Sequence, residues 1–134
     1  REIHRVLAPG GRLILQVPVL QGRTAPPATP EFHGDNTPVF WRFGFDLTQR
    51  LRDAGFTTTL LCTQQWADVV ASGATEWATT PSAEFGVASM LSGAVAGDLA
   101  VVADDDDARR NGFMPAYMFL SWECVRAWPP PGAL

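Results

Sequence analysis

Apolar and charged residues alternate at the start of the chain with the period of a helix. Ile3, Val6 and Leu7 recur at the spacing that places them on one helical face. Residues 8–11 then combine a proline with two glycines, which commonly follow a helix end. We therefore expect the chain to begin with the last turns of an amphipathic helix, with His4 on its solvated flank.

A nearly continuous apolar run follows, from Arg12 to Leu20 (RLILQVPVL). Such a run is typical of a strand that is buried on both faces of a parallel sheet. Because Pro18 has no N–H to donate to a sheet ladder, the regular strand should end near Val17.

Residues 21–44 form a long connection that contains four of the eleven prolines. Connections of that length inside a domain are usually lids, binding segments or disordered stretches. Disorder is disfavoured because the second half is rich in large apolar side chains, namely Phe32, Val39, Phe40, Trp41 and Phe43. We expect this half of the loop to be ordered and its apolar side chains to be kept from water.

A helix and a strand are predicted next. The helix should open at residues 45–47 (FDL), and Gly55 supplies its C-terminal stop. Its apolar face carries Leu47, Leu51, Ala54 and Phe56. The β-branched segment 57–63 then predicts a strand. A helix and a strand that follow an earlier buried strand form the second half of a βαβ unit.

The hydrophobic pattern that predicts helices and strands is weaker between residues 64 and 115. A short helix is predicted over 65–71, and a second helix over 84–102 in spite of its three glycines. The acidic run 104–107 predicts a solvated loop, because consecutive carboxylates cannot all converge on one metal ion. Residues 116–125 are apolar on both faces, which predicts a strand inside a sheet.

Composition narrows the class of protein. A chain of 134 residues is one domain's worth of sequence and can bury a core without disulfides or a metal. The net charge of −4, without a basic block, argues against nucleic-acid binding. No window approaches the roughly 18 apolar residues that span a membrane. Cys62 and Cys124 lack metal-ligand spacing, which predicts buried thiols in a cytoplasmic protein.

Residues 2–15 (EIHRVLAPGGRLIL) resemble the E-x-x-R-V-L-x-P-G-G-x-L segment of class I S-adenosylmethionine-dependent methyltransferases of the type 11 kind. Residues 31–35 (EFHGD), 43–47 (FGFDL) and 51–56 (LRDAGF) are similar to the continuation in a small-molecule branch of that family. The resemblance covers residues 1–63 and 116–126 and is absent from residues 64–115.

The resemblance implies an α/β fold in which residues 1–134 form the C-terminal half of a methyltransferase domain. The expected structure is a partial Rossmann-like sheet with flanking helices, without the N-terminal half. Segments 12–17, 57–63 and 116–125 would be the family's strands five, six and seven, with strand seven antiparallel between the other two. Residues 21–44 would be a substrate-side loop and residues 64–115 an insertion. The first strand would expose an open edge, so we expect either the missing half or self-association through this strand.

The family holds its cofactor through a glycine-rich turn after strand one and an acidic residue that ends strand two. The sequence supplies neither feature, since the Gly10-Gly11 pair follows a helix and not a strand. The implied activity is methyl transfer from S-adenosylmethionine to a small-molecule acceptor by the complete protein. The isolated chain should be inactive, with no cofactor-binding residue of its own and no metal. The alternative is a non-catalytic, methyltransferase-like module that completes or regulates a partner chain.

Candidate site residues lie in loop 21–44, on the side of the sheet where the resemblance places substrate. Methyl transfer needs positioning, and a base only when the acceptor must lose a proton. His33 is the best candidate for that base or for a substrate contact, since histidine exchanges a proton near neutral pH. Glu31 and Asp35 flank it and could orient its ring or bind a polar substrate. Trp41 and Arg42 could form an aromatic and cationic wall, although Trp41 is more simply expected in the core beneath the loop.

Overall fold

A computed structural model of the chain describes residues 1–72, 93–104, 106, 110 and 120–128. Within them the fold is mixed α/β. The helices are α1 (Glu2–Val6), α2 (Leu47–Asp53) and α3 (Gln64–Ser72). The strands are β1 (Arg12–Gln16), β2 (Val19–Gln21), β3 (Phe43–Gly44), β4 (Phe56–Thr63), β5 (Leu99–Ala103) and β6 (Ser121–Arg126).

The main sheet has the strand order β1-β6-β4-β5. β6 runs antiparallel to both of its neighbours, and β4 and β5 are parallel. β1, β4 and β5 therefore point in one direction, with β6 reversed between β1 and β4. The expected middle position of the terminal strand, predicted over 116–125, is confirmed for residues 121–125. Leu120 precedes the strand, and 116–119 lie outside the described residues.

One face of this sheet carries the hydrophobic core. The register aligns Leu15 of β1, Trp122 of β6 and Leu60 of β4 across the sheet. The side chains of Trp122 and Leu60 are almost completely buried. α2 packs over this face, where the indole Nε1 of Trp122 donates a hydrogen bond to the hydroxyl oxygen of Thr48 at 2.9 Å. Phe45 precedes α2 and is also buried, so the core lies between the sheet and the start of this helix.

The opposite face of β1 is open to solvent. Arg12, Ile14 and Gln16 are exposed, and Ile14 retains 58% of its accessible surface. Arg12 forms an ion pair with Glu123 of β6 across this face at 3.1 Å. The expectation that this strand is buried on both faces is therefore wrong. In the part of the chain that the structure describes, β1 is an edge strand that packs one face. Its apolar run alone could not distinguish an edge from a central position.

The helix predicted over 84–102 is contradicted at its C-terminal end. A 3-10 turn at Ala96–Asp98 leads into β5, which extends the sheet beside β4. Short apolar runs are ambiguous between helix and strand, and here pairing with a distant strand decides the outcome. Residues 84–92 of the predicted helix lie outside the described residues. The helix predicted to open at residues 45–47 is confirmed as α2, although Phe56, expected on its apolar face, begins β4 instead. The helix predicted over 65–71 is confirmed as α3.

The solvated position expected for His4 is also wrong. Its ring packs edge-on against Phe56, with the ring centroids 4.9 Å apart. The contact is close because α1 lies over Gly55, where a Cβ atom would lie 2.9 Å from the imidazole Nε2. Gly55 has a φ of +103°, so it both ends α2 and leaves room for His4.

The remaining expectations concern cysteines, metals and membranes. Cys62 and Cys124 are free and buried, and burial raises the pKa of Cys62 to about 11. Among the described residues no group of three or more potential ligands is placed to hold a metal ion. The same residues include no helix of the length and apolarity needed to cross a membrane. Asp104 and Asp106 of the acidic run are exposed.

Candidate functional site

The long loop leaves the fold and returns to it at one place. β2 and β3 pair in parallel, with Val19 opposite Phe43 and Gln21 opposite Gly44. Val19 is completely buried, which anchors the outgoing strand in the core. The two strands thus form a closed base for residues 22–42.

Thr24 fastens the loop to the start of α2. Its backbone N–H donates to Oδ1 of Asp46 at 2.6 Å, and its hydroxyl oxygen accepts the N–H of Gly44 at 3.1 Å. Arg50 donates to Oδ2 of Asp46 at 3.0 Å and to the carbonyl oxygen of Thr24 at 3.2 Å. Partial burial raises the pKa of Asp46, but the hydrogen bonds from Thr24 and Arg50 outweigh it and hold the pKa below its usual value. The ionised carboxylate of Asp46 therefore holds together the two ends of the loop at its base.

The distal part of the loop is a small hairpin over residues 31–39. The N–H of Val39 donates to the carbonyl oxygen of Glu31, and that of His33 to the carbonyl oxygen of Thr37. Asp35 accepts hydrogen bonds from the hydroxyl and backbone N–H of Thr37, which lower the pKa of this exposed carboxyl. Asp35 therefore serves the turn of the hairpin.

A half-open cleft of about 410 Å³ lies against this hairpin. Its lining residues are Pro18, Glu31, Phe32, His33, Val39, Trp41, Arg42 and Phe43. Four of the five predicted site residues are among them, and Asp35 is not. The cleft lies beside Pro18, two residues after the end of β1, and therefore just beyond the carboxyl end of that strand.

An ion pair forms the polar part of the cleft. Nε of Arg42 lies 3.0 Å from Oε2 of Glu31, and Nη2 lies 2.6 Å from Oε1. The Arg42 backbone is fixed as well, because its N–H and carbonyl exchange hydrogen bonds with Ala25 at 2.9 and 3.1 Å. Arg42 is therefore held at its backbone by Ala25 and at its guanidinium by Glu31, whose carboxylate compensates the charge.

Aromatic side chains form the apolar part of the cleft. Trp41 is 50% exposed and Phe32 is 59% exposed, so the placement of Trp41 in the core is wrong and the wall is the better interpretation. The core beneath the loop is filled instead by Phe45 stacked on Trp66, with centroids 6.2 Å apart. Phe40 is also 71% exposed but does not line the cleft.

Four lining residues are not identified as site residues by the sequence. Phe32, Val39 and Phe43 stand out only as apolar loop positions, since composition does not distinguish a cleft wall from a core. Pro18 stands out only as a strand end. Its position is the usable signal, because side chains just beyond the carboxyl end of a parallel strand border the ligand crevice of such sheets.

The Gly10-Gly11 turn does not fit a nucleotide or an adenosyl cofactor. Gly10 has a φ of +75°, and a Cβ atom there would lie 2.7 Å from the indole nitrogen of Trp128. Its N–H donates to the carbonyl oxygen of Arg126 at 2.8 Å. The turn is thus closed by the protein's own chain, and its backbone donor is already used.

Comparison with known proteins adds no relative to this picture. No family model, curated protein or solved structure matches the chain.

Proposed function

We propose that the chain is the C-terminal part of a class I S-adenosylmethionine-dependent methyltransferase domain with a Rossmann-like sheet, and that the cleft binds its small-molecule acceptor. The observation that carries the proposal is the reversed strand β6 between β1 and β4, with the cleft just beyond the carboxyl end of β1. Doubly wound sheets bind ligands beyond the carboxyl ends of their strands. The free, buried cysteines are compatible with a cytoplasmic protein.

The proposal divides the work between this chain and the rest of the domain. S-adenosylmethionine supplies the methyl group when it is bound, and the Gly10-Gly11 turn of this chain does not fit it. The chain's own residues position the acceptor: Trp41 contacts its apolar part, and the Arg42–Glu31 pair its polar part. His33 at the cleft takes up the proton when the acceptor is a hydroxyl group.

The open edge of β1 supports a further part of the proposal. Among the described residues, β1 pairs with β6 on one side and has no strand on the other. Unpaired strand edges associate readily, so this edge pairs with a preceding segment of the domain or with a second copy of the chain. We expect the isolated chain to self-associate, and to do so less with Ile14→Lys, in light scattering. A strictly monomeric species at high concentration would contradict the pairing.

The methyltransfer step is tested with the complete protein. Incubation with trideuteromethyl-labelled cofactor and a small-molecule extract should yield a labelled product detectable by mass spectrometry. The isolated 134-residue chain should show weak or no cofactor binding in calorimetry. Micromolar binding by that chain would contradict the division of work. Failure of the complete protein to bind the cofactor or label any product would favour the non-catalytic module.

The role of His33 is tested separately. His33→Ala in the complete protein should lower kcat and remove one limb of its pH dependence, because the base that accepts the proton is lost. Thr29→Ala, an exposed change in the same loop, is the matched control. Unchanged kinetics for His33→Ala would assign His33 to the hairpin alone.

A further inference from the structure

We propose that the cleft takes a planar, uncharged aromatic molecule of one or two rings that carries a hydroxyl group. The inference rests on the proposed function only in naming this molecule as the methyl acceptor. The cleft's size, walls and charge each support one part of the description.

The volume sets the number of rings. A cavity of about 150 Å³ holds one benzene molecule. The cleft measures about 410 Å³, which leaves room for two fused rings and a substituent. It lies at the lower end of the range of roughly 300–1,000 Å³ that is usual for ligand pockets.

The walls favour a flat ligand. Trp41 and Phe32 line the cleft with half or more of their surface still exposed, and Phe43 closes the wall at β3. Aromatic faces bind planar rings in offset or edge-to-face arrangements, which add to the gain from burial. Large apolar side chains that are exposed together commonly mark a binding surface. A planar ring would cover this exposed surface.

The ion pair favours an uncharged ligand. An anion would have to compete with Glu31 for the guanidinium of Arg42, and a cation would have to compete with Arg42 for the carboxylate. Either exchange breaks two charge-assisted hydrogen bonds at 2.6 and 3.0 Å. A neutral ligand leaves the pair intact.

The same pair explains the hydroxyl group. Each carboxylate oxygen of Glu31 accepts one hydrogen bond from Arg42 and has a further lone pair, so it can accept an O–H from the ligand. The other guanidinium N–H groups of Arg42 can donate to the ligand oxygen. His33 lines the same cleft and can receive the hydroxyl proton.

The first experiment compares four matched probes on the 134-residue chain by calorimetry or NMR titration. The probes are naphthol, naphthoate, naphthylmethylamine and decahydronaphthol. We expect naphthol to bind about tenfold more tightly than each of the other probes. A tenfold difference in Kd corresponds to about 1.4 kcal/mol of binding free energy. Equal or tighter binding of the carboxylate, the amine or the non-planar alcohol would overturn the inference, as would no binding of naphthol.

The second experiment locates the naphthol site. Trp41→Ala should weaken naphthol binding about tenfold, and Trp41→Phe by less, because a smaller aromatic face remains. Phe40→Ala is the matched control, since Phe40 is exposed beside Trp41 but outside the cleft. Circular dichroism would verify that each variant is folded. Equal effects of Trp41→Ala and Phe40→Ala would overturn the assignment to this cleft.

The third experiment changes the charge of the cleft. Glu31→Gln removes the partner of Arg42, so naphthoate should bind about tenfold more tightly than to the parent chain, while naphthol weakens modestly. Unchanged naphthoate binding would overturn the charge argument. Naphthol binding without methyl transfer by the complete protein would contradict the proposed function and leave this inference standing. Methyl transfer only to charged or non-planar acceptors would overturn this inference and leave the proposed function standing.

Discussion

Trp122 and Trp41 occupy two contrasting environments in the same small protein. Trp122 lies in the covered face of the sheet, fully buried, with its indole N–H bonded to Thr48. Trp41 lies in the loop, half exposed, on the wall of a cleft. The comparison indicates that the sheet supplies stability, whereas the loop presents partly exposed apolar surface at the cleft.

The loop is nevertheless ordered, and polar bonds account for much of its order. Asp46 holds Thr24 and Arg50 at its base, and Glu31 holds Arg42 at the cleft. Such bonds contribute less per residue than the burial of a large side chain. Substitutions in the two regions should therefore differ in size and in their dependence on pH.

The largest difference is expected between the two tryptophans. Trp122→Ala should lower the free energy of unfolding by about 3–5 kcal/mol, because it leaves a large cavity and an unpaired Thr48 hydroxyl. Trp41→Ala should change it by no more than about 0.5 kcal/mol. Urea denaturation followed by circular dichroism measures both. Comparable losses for the two variants would show that Trp41 belongs to the core.

The next largest difference in stability is expected between alanine variants of two glycines, Gly44 and Gly34. A Cβ atom at Gly44 would lie 2.5 Å from the backbone nitrogen of Arg23, whereas one at Gly34 would meet nothing within 4 Å. Gly44→Ala should therefore cost about 1–3 kcal/mol through overpacking at the loop base. Gly34→Ala in the hairpin should be nearly neutral. Thermal unfolding of both variants checks this, and a neutral Gly44→Ala would mean that the base is not closely packed.

A pH dependence is expected from the carboxylate at the loop base. The folded pKa of Asp46 lies below its ordinary value of 3.8, so its stabilisation is complete above that value and is lost as the pH falls through the lower folded pKa. Asp46→Asn should cost about 1 kcal/mol at neutral pH and progressively less below pH 3.8. Asp53→Asn, an exposed change in α2, is the control. A loss that persists at low pH would contradict the role of the charge.

The ion pair in the cleft should have the smallest effect on stability. The side chains of Arg42 and Glu31 are 38% and 29% exposed, and solvent screens a pair of this kind. A double-mutant cycle with Arg42→Met and Glu31→Gln should give a coupling of about 0.5 kcal/mol. A coupling several times larger would mean that the pair is a structural support of the loop and not mainly a ligand contact.

Much of the sheet could be predicted from the sequence because its signals are local. The apolar run 12–17 and the β-branched segment 57–63 each predicted a strand that is present as β1 and β4. β5 was missed because a short run of alanine and valine forms a strand only through its pairing with β4. The two-residue pairing of β2 with β3 leaves no local signal at all.

The sequence could predict which segment carries the candidate site, but not how its side chains contact one another. Loop length and the side chains of Glu31, His33 and Arg42 indicated a polar site, and all three line the cleft. The sequence could not show that Glu31 compensates Arg42, because eleven residues separate them and the hairpin brings them together. It also could not show that Trp41 faces a cleft, since apolar residues are favoured in both environments.

The central claim is that the loop cleft, and not the surface around it, holds a methyl acceptor. The most direct test measures methyl transfer to naphthol by the complete protein and by its Trp41→Ala and Phe40→Ala variants. We predict an acceptor KM raised about tenfold by Trp41→Ala and unchanged by Phe40→Ala. Equal KM values for all three proteins, or no methyl transfer by any of them, would contradict the account.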